Sequence, residues 1–85
     1  MKETEIRENV VRILGEIAPE ADLAALDPDA NIRDQLDIDS MDLLNFVVAI
    51  DHELRIPIPE TDYRKLATLN GCVEYLAARL ATATT

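Results

Sequence analysis

Apolar residues between Asp39 and Leu54 recur at intervals of three and four, which is the spacing of an α-helix, and they occupy two separate faces. One face carries Leu43, Phe46, Val47, Ile50 and Leu54. The other face, roughly 140° away at about 100° per residue, carries Met41, Leu44 and Val48. One helix in a chain of 85 residues can bury one such face fully. The pattern therefore predicts a helix with one apolar face in the core and a second in water.

The second face, here called the outer stripe (Met41, Leu44 and Val48), is flanked by Asp42, Asn45 and Asp51. An apolar strip with an acidic rim is typical of a docking surface for another protein. The alternative is that the loop before the helix covers the first part of the stripe as ordinary core. The solvent exposure of these side chains distinguishes the two interpretations.

Three further helices are predicted, two of them from the helical spacing of apolar residues and the third from the position of Pro59. The first begins near Glu5 and ends before Pro19, and the last is capped by Thr68. Residues 55–59, Arg-Ile-Pro-Ile-Pro, cannot be helical throughout, because each proline disfavours helical backbone in the residue before it. Pro59 suits the first position of a short third helix over Glu60–Leu66, which carries acidic residues in its first turn.

Residues 19–38 are predicted to form a long loop that packs onto the core, with one short helical turn at residues 22–26. No stretch alternates β-branched and polar residues, so no strand is predicted. We therefore predict an all-α fold with four helices, a long loop between the first and second, and a short third helix. One domain is expected over residues 1–80, followed by a frayed tail at residues 81–85.

Acidic residues outnumber basic ones by 17 to 8, which gives a formal net charge of −9. This charge repels phosphate backbones and anionic lipid surfaces and attracts proteins with basic patches, so neither nucleic acid nor membranes are expected partners. Cys72 is the single cysteine and cannot form an intrachain disulfide, and the polar N-terminus lacks the apolar core of a signal peptide. We expect a monomeric, soluble protein of the cytoplasm.

Ser40 lies at the start of the helix with two apolar faces, within the sequence Asp-Ile-Asp-Ser-Met-Asp at residues 37–42. Free backbone N–H groups and the positive end of the helix dipole favour an attached phosphate at such a position. The position therefore suits a phosphodiester linkage. The alternative is that Ser40 or Asp39 only caps the helix.

The sequence Asp-Ser-Met-Asp at the start of an amphipathic helix resembles the Asp-Ser-Leu-Asp phosphopantetheine site of acyl carrier proteins. The order of elements is similar to that family over almost the whole chain: a helix, a long acidic loop, the Asp-Ser helix, Ile-Pro-Ile-Pro, a short helix and a Thr-capped final helix. Leu36 and the Ile-Leu-Gly-Glu sequence at residues 13–16 also resemble family positions.

The resemblance implies a four-helix bundle without catalytic activity, in which Ser40 carries 4'-phosphopantetheine that a phosphopantetheinyl transferase takes from coenzyme A. It also implies that the transferase reads Asp39 and Asp42, and that partner enzymes face the outer stripe with Asn45 and Asp51 at its rim. The expected partners are acyl- or aminoacyl-loading ligases and acyl-processing enzymes with basic docking surfaces. The cargo is expected to be an acyl or aminoacyl group held as a thioester.

Departures from the common fatty-acid carriers indicate a specialised member of that family. Asp37 stands where many members have Gly, Asn45 stands where Glu is common, and the basic residues 64–65 make the third helix less acidic. Phe46 and Tyr63 are bulky residues near the place where an acyl chain enters the bundle of fatty-acid carriers. We therefore expect a preference for short or polar cargo.

Three other interpretations compete with a carrier. Residues 27–31 begin like an EF-hand calcium loop, but Ile32 stands where Gly is needed and Ile38 where a bidentate Glu is needed, so no metal site is expected. A hydrolase would pair Ser40 with His52, which lie twelve positions apart on one helix and cannot meet. The last alternative is a small acidic helical interaction module that is never modified.

Overall fold

The computed structural model describes the backbone of residues 2–83 and the side chains of residues 2–81. The elements are α1 (Glu3–Ile17), a 3₁₀ turn (Leu23–Ala25), α2 (Ile32–Leu36), α3 (Ser40–Leu54), a 3₁₀ helix (Glu60–Leu66) and α4 (Leu69–Ala83). No strand occurs within this range. The prediction of an all-α fold with four main helices is confirmed.

The core lies where α1 packs against both α3 and α4. Its buried apolar side chains come from one face of each of these helices: Ile6, Val10, Ile13 and Leu14 of α1, Phe46, Val47, Ile50 and Leu54 of α3, and Leu69, Cys72, Val73 and Leu76 of α4. Four of the five residues predicted for the inner face of α3 are therefore buried, while Leu43 is half-buried at its edge. The inner face of α3 is confirmed as core.

The segment between α1 and α3 contains more helix than the sequence indicated. The short turn near residues 22–26 is confirmed as the 3₁₀ turn Leu23–Ala25, but the α-helical turn α2 was not predicted. The Asn31 side chain caps α2 by accepting a hydrogen bond from the backbone N–H of Asp34 at 3.3 Å, and Ile32 is buried. A helix of five residues is too short to display an apolar period, which is why the sequence pattern did not reveal it.

Hydrogen bonds fasten this segment to the start of α4. The backbone N–H of Ile32 donates to the carbonyl oxygen of Ala67 at 2.8 Å. The Asn70 side-chain amide donates to Asp29 Oδ1 at 2.7 Å, and the Asn70 Oδ1 atom accepts a hydrogen bond from Arg7 of α1. Asn70 therefore links the loop, α1 and α4 through hydrogen bonds, and the loop packs against the start of α4.

The short third helix has the predicted bounds, Glu60–Leu66, but it is a 3₁₀ helix, and Pro59 precedes it as the N-cap instead of occupying its first position. It packs on α4. The Tyr75 hydroxyl donates to Asp62 Oδ2 at 2.6 Å, and Arg79 donates to the Tyr75 oxygen at 2.8 Å. The hydrogen bond from Tyr75 holds the pKa of Asp62 below its ordinary value.

The last helix begins as predicted, because the Thr68 hydroxyl oxygen accepts a hydrogen bond from the backbone N–H of Gly71 at 3.0 Å. It ends at Ala83, three residues beyond the predicted end of the domain at residue 80. Helix therefore extends into the predicted tail of residues 81–85, of which residues 84–85 lie outside the described residues. Fraying of this tail stays a prediction.

Gly71 and Gly15 provide a matched test of the packing at the start of α4. Glycine to alanine inside a helix ordinarily stabilises it by about 0.5 to 1 kcal/mol. A Cβ atom at position 71 would lie 2.8 Å from Thr68 Oγ1 and 3.1 Å from the Lys65 carbonyl oxygen, so it would displace the cap. At position 15 it would meet only the flexible end of Leu23, at 3.2 Å.

We therefore expect Gly71→Ala to lower the free energy of unfolding by about 1 kcal/mol, since loss of an N-cap costs about that much. Gly15→Ala should leave it unchanged or raise it slightly. Urea titration followed by circular dichroism measures both changes. A Gly71→Ala variant at least as stable as Gly15→Ala would contradict the described cap.

Candidate functional site

Ser40 is the first residue of α3, and its side chain is exposed. The cap is supplied by Asp39, whose Oδ1 atom accepts a hydrogen bond from the backbone N–H of Asp42 at 2.9 Å. The Asp42 Oδ2 atom accepts in turn from the backbone N–H of Asp39 at 3.4 Å. The capping interpretation of Asp39 is therefore confirmed, whereas the Ser40 hydroxyl takes no part in the hydrogen bonds of the described residues.

The backbone N–H groups of Ser40 and Met41 point out of the first turn of α3. Neither group donates a hydrogen bond within the described part of the chain, as is usual for the first N–H groups of a helix. Together with the helix dipole, they favour a negatively charged group at the Ser40 oxygen. Ser40 is also the only serine in the sequence, so a count of residues identifies it without any motif.

The outer stripe is exposed along α3. Met41 is 65% exposed, Leu44 43% and Val48 57%, and these are the large apolar side chains that the described residues leave in water. The alternative that the preceding loop covers Met41 and Leu44 is therefore wrong. The loop is hydrogen-bonded to the start of α4 instead. Asn45 and Asp51 are exposed beside the stripe, and Asp42 is half-buried.

A cleft opens beside α3, between α2 and the 3₁₀ helix, and is called the side cleft below. Its volume is about 230 Å³, and it is lined by Asn31, Ile32, Arg33, Leu43, Phe46, Tyr63, Arg64, Leu66 and Ala67. Phe46 is fully buried at its base and Tyr63 is half-buried. The sequence placed Phe46 and Tyr63 near an opening into the bundle, and both do line it. Sequence reasoning missed Ile32 and Arg33, because it missed α2.

The structure contains neither of the two rival sites, a serine–histidine catalytic pair and a calcium loop, within the described residues. Ser40 and His52 belong to opposite ends of α3, about 18 Å apart along the axis at 1.5 Å per residue, so they form no catalytic pair. The carboxylates of the loop are used locally: Asp27 Oδ1 accepts from the backbone N–H of Asp29 at 2.9 Å. The described part of the chain brings together no group of three or more His, Cys, Asp or Glu residues that could hold a metal ion.

Comparison with known proteins assigns the chain to a family. Residues 4–76 match the family model described as the phosphopantetheine attachment site. The match covers all of α1 except its first residue, the segment that contains α2, the whole of α3 and the 3₁₀ helix, and more than half the length of α4. The chain therefore belongs to the phosphopantetheine attachment family. It is a carrier protein, not an enzyme, and it is similar to acyl carrier proteins.

Three relatives illustrate this similarity. An acyl carrier protein from Acidothermus cellulolyticus is 29% identical over 79 residues, which cover 91% of this chain and 90% of the relative. One from Syntrophobacter fumaroxidans is 32% identical over 56 residues, covering 66% and 69%, respectively. One from Rubrobacter xylanophilus is 26% identical over 73 residues, covering 82% and 90%.

Family membership implies a 4'-phosphopantetheine prosthetic group, a phosphopantetheinyl transferase that attaches it, and enzymes that handle acyl groups. The entry to α3 fits such a group, since it offers an exposed hydroxyl and two unused N–H donors to a phosphate. Among residues 2–83, none of the helices is long and apolar enough to cross a membrane.

Asp37 precedes the site in left-handed backbone, with φ of 52° and ψ of 42°. This conformation favours Gly, the residue that many acyl carrier proteins have at the corresponding position. Asp adopts the conformation more readily than most other residues with a side chain do. The turn that brings the chain from α2 into α3 is therefore kept, and the departure from the family pattern adds a carboxylate without removing the turn.

Cys72 is a packing residue, because its side chain is fully buried in α4. Burial raises the pKa of its thiol to about 12. At pH 8 roughly one folded molecule in 10⁴ therefore carries a thiolate at this position. A thiolate that is so scarce and so buried cannot compete with a flexible arm for an acyl group.

We expect Ellman's reagent to find no fast-reacting thiol in the native unmodified protein at pH 8, and one thiol after unfolding in guanidinium chloride. Attachment of the pantetheine arm should add one reactive thiol to the native protein. The absorbance of the released thiolate measures both values. A rapid stoichiometric reaction of the native unmodified protein would contradict the buried position of Cys72.

Proposed function

We propose that Ser40 is the residue to which the 4'-phosphopantetheine arm is attached, and that the protein carries acyl or aminoacyl groups on that arm. The observation that supports this most is the uniqueness of Ser40: it is the only serine in a chain whose residues 4–76 match an attachment domain. Its exposure and its place at the N-terminus of α3 support the same assignment.

The chain's own residues have simple tasks in this function. When bound, the arm supplies a thiol that holds cargo as a thioester, which activates the acyl group for transfer. Ser40 fixes the arm at one end of the bundle, and the N–H groups of Ser40 and Met41 favour its phosphate. The rigid bundle then presents the cargo, whose effective concentration at a docked enzyme is raised by the tether.

We also propose a docking surface for the transferase and the acyl-handling enzymes along α3. It consists of the outer stripe with its acidic and polar neighbours: Asp39, Met41, Asp42, Leu44, Asn45, Val48 and Asp51. The capping bonds of Asp39 and Asp42 use one carboxylate oxygen each, so the second oxygen of each stays available to a basic partner. The net charge of −9 assists fast encounter with such partners.

The cargo that we propose is short. The side cleft of about 230 Å³ is smaller than the roughly 300 Å³ at which ligand pockets usually begin. The bulky side chains of Phe46, which is fully buried, and of Tyr63 in the 3₁₀ helix are among its lining residues. A long acyl chain that lies ordered inside the bundle of a loaded form would contradict this preference.

We further propose that the protein acts as a monomer in the cytoplasm. Its single cysteine is buried and forms no disulfide, which suits a reducing compartment.

Attachment at Ser40 is tested by intact mass spectrometry after incubation with coenzyme A, Mg²⁺ and a promiscuous phosphopantetheinyl transferase. The wild-type protein should gain the mass of one phosphopantetheine, and Ser40→Ala should gain none. Because Asp39 supplies the helix cap, Ser40→Ala should fold normally. Thr61→Ala, which removes an exposed hydroxyl from the 3₁₀ helix, should be modified like the wild type.

Absence of any mass gain in the wild type, while a known carrier is modified in the same assay, would favour an unmodified interaction module instead. A mass gain that persists in Ser40→Ala would place the arm on another residue.

The docking surface is tested by two variants with the same change in net charge. Asp51 lies beside the outer stripe on α3, whereas Glu74 lies on α4, and both side chains are exposed. The variants are Asp51→Lys and Glu74→Lys. We expect Asp51→Lys to lower kcat/KM of the transferase by about three- to tenfold at low salt relative to Glu74→Lys, which is about 0.6 to 1.4 kcal/mol. High salt should reduce the difference. Equal effects of both variants on kcat/KM would show that Asp51 is not part of the docking surface.

A further inference from the structure

Asn70 and Gly71 form a chemically reactive pair at the start of α4. The backbone nitrogen of the residue that follows an asparagine can attack the side-chain amide, and glycine permits this attack best because it has no side chain to obstruct it. The sequence contains four asparagines, and the other three precede the bulky residues Val10, Ile32 and Phe46. Asn70 is therefore the asparagine whose neighbour in sequence favours the reaction.

The fold engages both reacting groups in hydrogen bonds. The Asn70 side chain accepts from Arg7 of α1 through Oδ1, and its Nδ2 atom donates to Asp29 Oδ1 at 2.7 Å. The backbone N–H of Gly71 donates to the hydroxyl oxygen of Thr68 at 3.0 Å. Attack by the Gly71 nitrogen closes a five-membered ring, which residue 70 cannot accommodate while its backbone stays helical. The reaction therefore requires the start of α4 to open.

Opening of this helix end does not require the whole bundle to unfold. The end of a helix opens at a lower free-energy cost than its middle, and that cost is set by the contacts made there. Besides the side-chain bonds of Asn70, its backbone N–H donates to the carbonyl oxygen of Pro28 at 2.9 Å. Loss of a hydrogen bond at Asn70 should therefore raise the fraction of molecules that are open.

We propose that Asn70 is a site of spontaneous deamidation, and that the hydrogen bonds at the start of α4 determine its rate. In an open molecule the Gly71 nitrogen forms a bond to Asn70 Cγ, and the amide nitrogen leaves as ammonia with the proton that Gly71 gives up. Water then opens the succinimide ring at one of its two carbonyl groups, which leaves an aspartate or an isoaspartate at position 70. This proposal does not depend on the attachment at Ser40.

Both products weaken the contact that protected the site. Each lacks the amide N–H donor and places a carboxylate opposite Asp29. An aspartate can still accept from Arg7, but an isoaspartate also inserts the side-chain methylene into the backbone. The hydrogen bond of 2.9 Å from the Cys72 N–H to the Thr68 carbonyl oxygen then loses its helical register. A molecule with isoaspartate therefore opens more readily at the start of α4.

The test measures deamidation in the native protein and in guanidinium chloride, at the same pH of 8 and with a reductant that keeps Cys72 as a thiol. Trypsin cleaves after lysine and arginine and so places each asparagine in a different peptide, with Asn70 in residues 66–79. Mass spectrometry follows the small mass gain of amide hydrolysis in each peptide. We expect the unfolded chain to react mainly at Asn70, and the native protein to react there at least about tenfold more slowly.

A pair of variants assigns the protection to the hydrogen bonds of Asn70. Arg7→Gln removes the charged donor and should raise the native rate about three- to tenfold. Arg12→Gln is the matched control: it removes the same charge from the same helix, but Arg12 pairs with Glu16 and Glu53 at the surface. It should change the native rate by less than about twofold. Both variants should react like the wild type when unfolded.

Equal rates in the native and unfolded protein would overturn the protection by the fold. A native rate of Arg7→Gln no higher than that of Arg12→Gln would overturn the role of the hydrogen bonds. Reaction of the unfolded chain at another asparagine as fast as at Asn70 would overturn the choice of site. Ion exchange separates the deamidated protein by its added negative charge, and its urea midpoint should be lower. An unchanged midpoint of the isoaspartate form would contradict the expected loss of contacts.

Discussion

Burial of the inner face of α3 against α1 sets the geometry of the outer stripe and of the side cleft. Phe46, Val47 and Ile50 are almost completely removed from water, and this burial fixes the rotation of α3 about its own axis. Once that rotation is fixed, the outer stripe must face water and the side cleft must open along the other edge of the helix. The exposed apolar surface is therefore a consequence of core packing on a helix that is apolar on two sides.

The walls of the side cleft depend on tertiary hydrogen bonds, because the elements that form them are too short to be stable alone. α2 has five residues and the 3₁₀ helix has seven. Hydrogen bonds between Ile32 and Ala67 and from Tyr75 to Asp62 hold these two elements against the start and the middle of α4. Such short elements separate from the core at lower cost than α1, α3 or α4, so the walls of the side cleft are the part of the bundle that is most easily displaced.

The long elements and the cap of α3 could be predicted from the sequence because each rests on a local signal. Apolar periods over fifteen residues and an Asp before the helix need no tertiary information. Among the short elements, α2 was missed because five residues show no apolar period. The bounds Glu60–Leu66 were predicted, but not the 3₁₀ type of that helix, because its composition does not differ from that of an α-helical turn. Arg33 joined the candidate site only through α2, so the side cleft as a whole was beyond the sequence pattern, although Phe46 and Tyr63 were identified.

The net charge of −9 and the exposed outer stripe act at different distances. Enzymes that dock and leave are attracted over many ångströms, so the net charge of the whole chain matters, and carboxylates beside the outer stripe contribute to it. The outer stripe acts only at van der Waals distance, where a partner that covers Met41, Leu44 and Val48 removes their apolar surface from water. An acidic chain with an exposed apolar stripe therefore suits a partner that combines basic residues with an apolar patch, because net charge alone does not select the face that docks.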